Sequence, residues 1–527
     1  MPSPCGPSSE PSPPCFNGCF PSSSFLASSE STTSNSTKTR SNTAYDFLKA
    51  TSSTLHPNAE FTNHESLPSL QDSYSDFTKA YPLFSNTLKA DQIRAQEYYH
   101  LNNNFCNLCF DYSGFGLFSY AQLHRERSCL HIASSSSSSH PPPPPPLETP
   151  FFEISYSSVN LYSQIAYGGE EPSEIESKIR EKIMRFMSFS ADEYALVFTA
   201  NQISAFKILA DSFQFSPNGG NLLTVYDHHN ESLHEMIKIC KNQGTRVASA
   251  EFSWPGLQIQ GKKLSKTIRK KRGLFVFPVH SRVTGSPYSY MWMSLAQENG
   301  WRVLLDACAL APKEMDTLGL SFFKPDYLIC SFYKVFGDNP SGFGCLFVKK
   351  SSVSALKDSR NNTGIVRLVP SSSSEPEICD GSKTSKCKTL ECKGLENAEE
   401  VGLVGISSRG RYLVNWVVHA LTRLEHPHRE INKGVSLIRI YGPKVNSHRG
   451  CAIAFNVFDW KGEKIDPVIV QKLADRNNVS LSSKLNFLNN FEDVYKLWSF
   501  VSRFLDADFV EKERWRYMAL NQETLEL

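Results

Sequence analysis

Residues 325–350 read PDYLICSFYKVFGDNPSGFGCLFVKK. An apolar stretch, Tyr327–Ser331, runs into Tyr333 and Lys334. A turn carrying Gly337, Gly342 and Gly344 follows, and a second apolar stretch, Gly344–Val348, leaves it. Short apolar runs bounded by turn residues read as buried strands. A lysine on the tight connection between them sits at a sheet edge, partly withdrawn from water. Desolvation lowers an amine's pKa and suits it to attack a carbonyl.

Outward from this segment, strands and helices alternate. YALVFT (194–199), NLLTVY (221–226), Arg246–Phe252, GLFVFP (273–278) and WRVLLD (301–306) read as strands. Ile175–Met187, Ile203–Phe213, Glu231–Gln243 and Tyr290–Asn299 read as helices between them. Apolar strands separated by helices of ten or more residues imply an α/β fold with a mostly parallel sheet covered on both faces. Such sheets bind ligands in the crevice beyond the strand C-termini. Thr199, Asp227, Asp306 and Lys334 all lie at or just past such ends.

These positions come in the order a pyridoxal phosphate site needs: a lysine for the Schiff base, an acid for the ring nitrogen, and donors for the phosphate. Asp306 ends an apolar strand and faces the crevice. Thr199-Ala200-Asn201-Gln202 lies between a strand and a helix, where backbone N–H groups receive phosphate. Each feature alone has an ordinary structural reading, namely a surface lysine, a helix cap and a βα turn. Their joint order favours the cofactor.

The segments LLDACALAP, DYSGFGLFS, YALVFTAN and FPVHSRVTG, with SFYK…GFG as the most specific, resemble the class V aminotransferase fold. Within it they are most similar to the N-terminal sulfurase domain of molybdenum cofactor sulfurases, in particular plant sulfurase-like proteins without a MOSC domain. The resemblance spans about residues 91–504, with gaps at 126–150 and 351–400. It implies a fold-type I pyridoxal-phosphate transferase, with a seven-stranded-type sheet in the large domain and a small C-terminal α/β domain. It makes Lys334 the Schiff-base lysine, Asp306 the pyridinium partner, and Ser331, Tyr333 and Thr199–Gln202 the phosphate site. One of His228 and His229 matches the ring-stacking histidine; YDHHNES leaves the choice open, with His229 preferred. The implied substrate is a small amino acid such as L-cysteine, and the implied assembly is a homodimer.

Several positions depart from that pattern. Ile203 stands where the family has a hydroxyl residue. Arg282 stands where it has an asparagine near the ring hydroxyl. The loop expected after Val479 should carry the persulfide-accepting cysteine, yet residues 478–487 read NVSLSSKLNF. The substrate-carboxylate arginine is also missing, with Ser482 near its place. Three functions therefore remain: a sulfurase-like transferase or lyase, a catalytically degenerate protein with a regulatory or scaffolding role, and, as the most distant, a nucleic-acid binder using the basic run Lys262 to Arg272.

Composition narrows the setting. The 527 residues are 40% hydrophobic and 20% charged, with a formal net charge of +2. That balance gives no argument for a nucleic-acid or membrane partner, and no apolar run reaches a transmembrane length. Residues 1–44 are rich in Ser, Pro and Thr and are expected to be a disordered tail without a secretory signal. The 14 cysteines are then expected to be reduced thiols of a cytoplasmic protein, with plastid and nuclear placement left open. Cys106 and Cys109 form a CxxC pair, too few ligands for zinc. The expected division is a large domain over 45–430, a small domain over 431–510 and a tail over 511–527. The large domain holds a low-complexity insertion at 133–150 and a long loop at 351–400. A basic run, Lys262 to Arg272, is expected to be a solvated helix face.

Overall fold

The computed structural model describes residues 61–101, 108–111, 119, 152–216, 220–308, 322–332, 343–359, 364–370, 393–427, 435–442 and 450–525. In chain order the helices are α1 (Leu70–Ala80), α2 (Lys89–Glu97), α3 (Leu161–Ala166), α4 (Glu174–Met187), α5 (Gln202–Ser212) and α6 (Glu231–Asn242). Then come α7 (Gly261–Lys270), α8 (Met291–Glu298), α9 (Lys393–Thr422), α10 (Pro467–Arg476), α11 (Phe491–Ser502) and α12 (Ala507–Leu525). The strands that matter are β1 (Leu108–Asp111), β2 (Phe152–Tyr156), β3 (Tyr194–Thr199), β4 (Asn221–Thr224), β5 (Arg246–Ser249), β6 (Gly273–Pro278) and β7 (Arg302–Asp306). They continue with β8 (Tyr327–Ser331), β9 (Gly344–Lys349), β10 (Val366–Pro370), β11 (Ile438–Tyr441), β12 (Ala454–Val457) and β13 (Val479–Lys484).

Seven strands form the main sheet in the order β3-β9-β8-β7-β6-β4-β5. Only β9 runs antiparallel to its neighbours. Alternation of side chains along each strand divides the apolar residues between two faces. Phe198, Phe275, Leu305, Leu328 and Phe347 point to one face, where Ile179 and Ile183 of α4 and Leu264 and Ile268 of α7 cover them. Val197, Val276, Leu304, Ile329 and Leu346 point to the other, under Phe206 and Leu209 of α5 and Met236 of α6. Burial on both faces is why these strands read as continuous apolar runs.

A second core draws on both ends of the chain. Phe61, Phe77, Tyr81, Phe84 and Phe110 pack with Trp416, Leu437, Phe491, Trp498 and Phe504. β1 pairs in parallel with β13, Leu108 opposite Val479. Phe61, Phe77, Tyr81, Phe84 and Phe110, assigned from sequence to the large unit, thus pack in the core of the small one. The 351–400 stretch contains β10, which pairs with β2, and the start of α9. α9 begins inside the stretch expected to be a long loop and bends at Gly402, whose φ is 74°. Residues 507–525, expected to fall mostly in a tail, form α12.

The basic run behaves as a solvated face. Leu264 and Ile268 are the buried positions of α7, while Lys262, Lys263, Lys266, Arg269, Lys270, Lys271 and Arg272 are exposed. Among the described residues no group of three or more His, Cys, Asp or Glu could hold a metal ion. Cys106 lies outside them.

Candidate cofactor site

Asp306 ends β7 at the centre of the sheet, level with Pro278 of β6 and Ile329 of β8. It is 4% exposed. Its Oδ1 accepts the Cys308 N–H at 2.9 Å, and its Oδ2 accepts the Tyr226 hydroxyl at 2.8 Å. Burial pushes its carboxyl above the ordinary carboxylate range, and these two donors oppose that shift. The side chain is therefore a buried carboxyl whose charged form is costly and is supported by two oriented donors.

The turn after β4 faces it. Tyr226 reaches Asp306, and its ring lies 5.9 Å from that of His228. His228 Nδ1 and Asp227 Oδ1 are 3.0 Å apart. The other Asp227 oxygen accepts the Ser281 hydroxyl, which ties this turn to the one after β6. Ser281 Oγ also accepts the Thr284 N–H at 3.0 Å. Asp227 thus saturates both oxygens and fixes the His228 ring. His228 Nε2 is buried without a hydrogen-bond partner among the described residues. His229 points elsewhere: it is exposed, with its ring 5.7 Å from that of His234.

Thr199 closes β3 opposite Gly344, and its Oγ1 donates to the Asn201 carbonyl at 3.0 Å. A Cβ on Gly344 would meet that hydroxyl at 2.8 Å, so the glycine permits this close approach. Ala200 N–H donates to the Gly364 carbonyl at 2.8 Å. Asn201 caps α5 by accepting the Ser204 N–H at 2.8 Å, and Gln202 is the first helical residue. This is a helix N-terminus at the crevice, where the dipole and first-turn N–H groups attract anions. Ser331 ends β8 opposite Gly344.

The structure thus brings Thr199, Ala200, Asn201, Gln202, Asp306 and Ser331 to one edge of the sheet. Arg282 lies on the turn after β6 and is exposed. Tyr333 and Lys334 lie outside the described residues, on the connection between β8 and β9. Sequence reasoning passed over Tyr226, taking it as the end of an apolar strand. A hydroxyl-bearing aromatic directly before Asp227 was the available signal. It also passed over Cys308, whose contribution is a backbone N–H that no side-chain pattern reveals. A buried carboxylate with oriented donors, an unpartnered imidazole nitrogen and a helix N-terminus on one edge fit an aromatic cofactor carrying a ring nitrogen and a phosphate.

Solved structures share this architecture. An apo cysteine desulfurase from Thermococcus onnurineus NA1 superposes with a TM-score of 0.52 at 15% identity, over 79% of this chain and 98% of that one. The cysteine desulfurase CsdA of Escherichia coli gives 0.50 at 16% identity, over the same shares. The fold is that of the cysteine desulfurases. In sequence, the chain is 23% identical over 349 residues to molybdenum cofactor sulfurase 3 of Aedes aegypti. It is 25% identical over 350 residues to the molybdenum cofactor sulfurase of Bos taurus, and 24% over 351 to that of Homo sapiens. These matches take in 61%, 59% and 60% of this chain but only 44%, 39% and 38% of the relatives. No family model matches the chain. Among the described residues no helix is long and apolar enough to cross a membrane.

Proposed function

We propose that the chain binds pyridoxal phosphate at this edge and acts on a small amino acid, as a sulfurase-like transferase or lyase. The observation that carries the reading is Asp306, a carboxylate kept buried at the end of the central strand by two oriented donors. Lys334 is the proposed point of covalent attachment. Asp306 would hold the ring nitrogen, and Thr199–Gln202 with Ser331 and Tyr333 the phosphate. His228, whose ring Asp227 holds beside Tyr226, would lie against the cofactor ring in place of the expected His229, which is exposed against His234, and Arg282 would reach the ring hydroxyl. When bound, the cofactor supplies an electron sink for bonds at an amino acid's α-carbon. The protein's part is to keep the ring nitrogen protonated through Asp306 and to exclude water from that contact. The relatives' names make L-cysteine the first substrate to try, and a homodimer the assembly to look for.

The test is the visible spectrum of purified protein with added pyridoxal phosphate. A borohydride-sensitive band should appear, and reduction should mark the Lys334 peptide by mass. Lys334→Ala should show neither. Absence of the band in the unaltered protein defeats the reading.

A second reading, a cofactor-binding protein without turnover, is favoured by the link between β13 and α11. The resemblance places a cysteine-bearing loop there. In this chain it is a six-residue link, residues 485–490, in which Leu485, Asn486, Phe487, Leu488 and Asn489 are buried. Arg94 donates to the Leu488 carbonyl at 2.9 Å and Arg409 to that of Asn489 at 2.9 Å. A link pinned in this way cannot swing a nucleophile to a cofactor. Lys334-dependent release of alanine from L-cysteine would remove this second reading.

A further inference from the structure

The phenol of Tyr226 has no assigned purpose, yet it occupies an oxygen of the residue on which the proposed site depends. It donates to Asp306 Oδ2 at 2.8 Å while the Cys308 N–H takes Oδ1 at 2.9 Å. A carboxylate so engaged, and only 4% exposed, has a donor on each oxygen and is covered. A ring nitrogen arriving with its proton must bond one of these same oxygens. Oδ1 is held by a backbone N–H two residues along the chain, which moves only with the backbone itself. The Tyr226 contact comes from a side chain with its own rotamers, on a turn just past β4. Oδ2 is therefore the oxygen that can be yielded.

We propose that Tyr226 is a positioning residue that competes with the cofactor's ring nitrogen for Asp306, so that its displacement sets the affinity for pyridoxal phosphate. This rests on the function proposed above. The phenol holds Asp306 as a shielded acceptor until a stronger, charged donor replaces it. Burial and the neighbouring Asp306 charge raise the Tyr226 pKa far above its ordinary value, so the hydroxyl remains a donor throughout the accessible pH range. Its effect on affinity should accordingly not vary with pH through phenol ionisation.

The experiment measures the dissociation constant of pyridoxal phosphate for the full chain by spectroscopic titration, in the unaltered protein and in Tyr226→Phe. Without the phenol, the unbound protein keeps a buried carboxylate short of one donor, and the bound form recovers it. A hydrogen bond to a charged group corresponds to tighter binding by about ten- to a hundredfold. The unbound variant should melt below the unaltered protein, and saturating cofactor should close most of that gap. A general packing defect would lower both melting temperatures equally. If Tyr226→Phe does not fold, Tyr226→Met fills similar volume without a donor and is measured in the same way. Equal or weaker binding by the variant overturns this inference and leaves the cofactor reading standing. Failure of both proteins to bind pyridoxal phosphate overturns the cofactor reading and this inference with it.

Discussion

Replacing Arg94 by methionine should loosen the small unit in a way that hydrogen exchange can read. Arg94 and Asp493 are both nearly inaccessible, with side chains 8% and 7% exposed. Nη1 meets Asp493 Oδ2 at 2.5 Å and Nη2 meets Oδ1 at 3.1 Å, a bidentate pair. Nη1 also donates to the Leu488 carbonyl. Removing one partner of a buried pair costs ~3–5 kcal/mol, because the other charge remains without compensation. Asp493 keeps the Asn489 amide at 2.9 Å and the Asn490 N–H at 3.2 Å, which places the loss near the lower end. Methionine retains most of the apolar stem. A loss of about 3 kcal/mol corresponds to about a hundredfold faster exchange of amides that open with this unit. Exchange of peptides covering α11, followed by mass spectrometry, checks this directly. Arg94→Met combined with Asp493→Asn removes the stranded charge and should exchange more slowly than Arg94→Met alone. Acceleration under threefold in Arg94→Met, or no recovery in the pair, would refute the reasoning.

Three further outcomes are expected. Burial holds His419 and His426 below the ordinary histidine pKa, so both are neutral in the folded state. Stability from them is present above about pH 6.5 and is lost as the pH falls through the lower folded values, because the unfolded chain binds protons first. Denaturant midpoints of a His419→Asn, His426→Gln variant should fall less than those of the unaltered protein between neutral and mildly acid pH. Gly285 has φ +65°, and a Cβ there would meet the Ala452 and Cys451 amide nitrogens at 2.8 and 2.9 Å. Gly285→Ala should cost about 1–2 kcal/mol from backbone conformation alone, and more from the overlap, read as a lowered denaturant midpoint. Cys240, Cys308 and Cys330 are buried thiols pushed above the usual range chiefly by desolvation, Cys240 to about 12. They should stay unmodified when native protein meets iodoacetamide at neutral pH, and label only after denaturation.

The large sheet was legible because its residues obey a simple rule. Strands buried on both faces are apolar throughout, so YALVFT, GLFVFP and Tyr327–Ser331 announced themselves with their observed bounds. Asp306 stood out as the first charge after such a run. The small unit was harder, since its core joins Phe77 and Phe84 to Trp416 and Trp498, pairs that no local period connects. α12 lacked a readable apolar stripe. At the site, residue types marked the strand ends but could not show which neighbours turn inward. His228 and His229 are adjacent and alike in sequence. Only the bond from Asp227 and the Tyr226 ring distinguish them. Tyr226 itself was hidden by being apolar enough to end a strand.

The second core also has a consequence for how the chain is made. Phe61, Phe77, Tyr81, Phe84 and Phe110 emerge from the ribosome roughly 300 residues before Leu413 and Trp416. At ~5–20 residues per second this leaves a large aromatic surface without its partner for about 15–60 s. During that interval the intervening sheet can close by itself, since its strands follow one another along the chain. The early aromatic segment cannot, and it is the stretch most exposed to aggregation or chaperone capture. Its maturation therefore waits for Leu413, Trp416, Trp498 and Phe504 to be made.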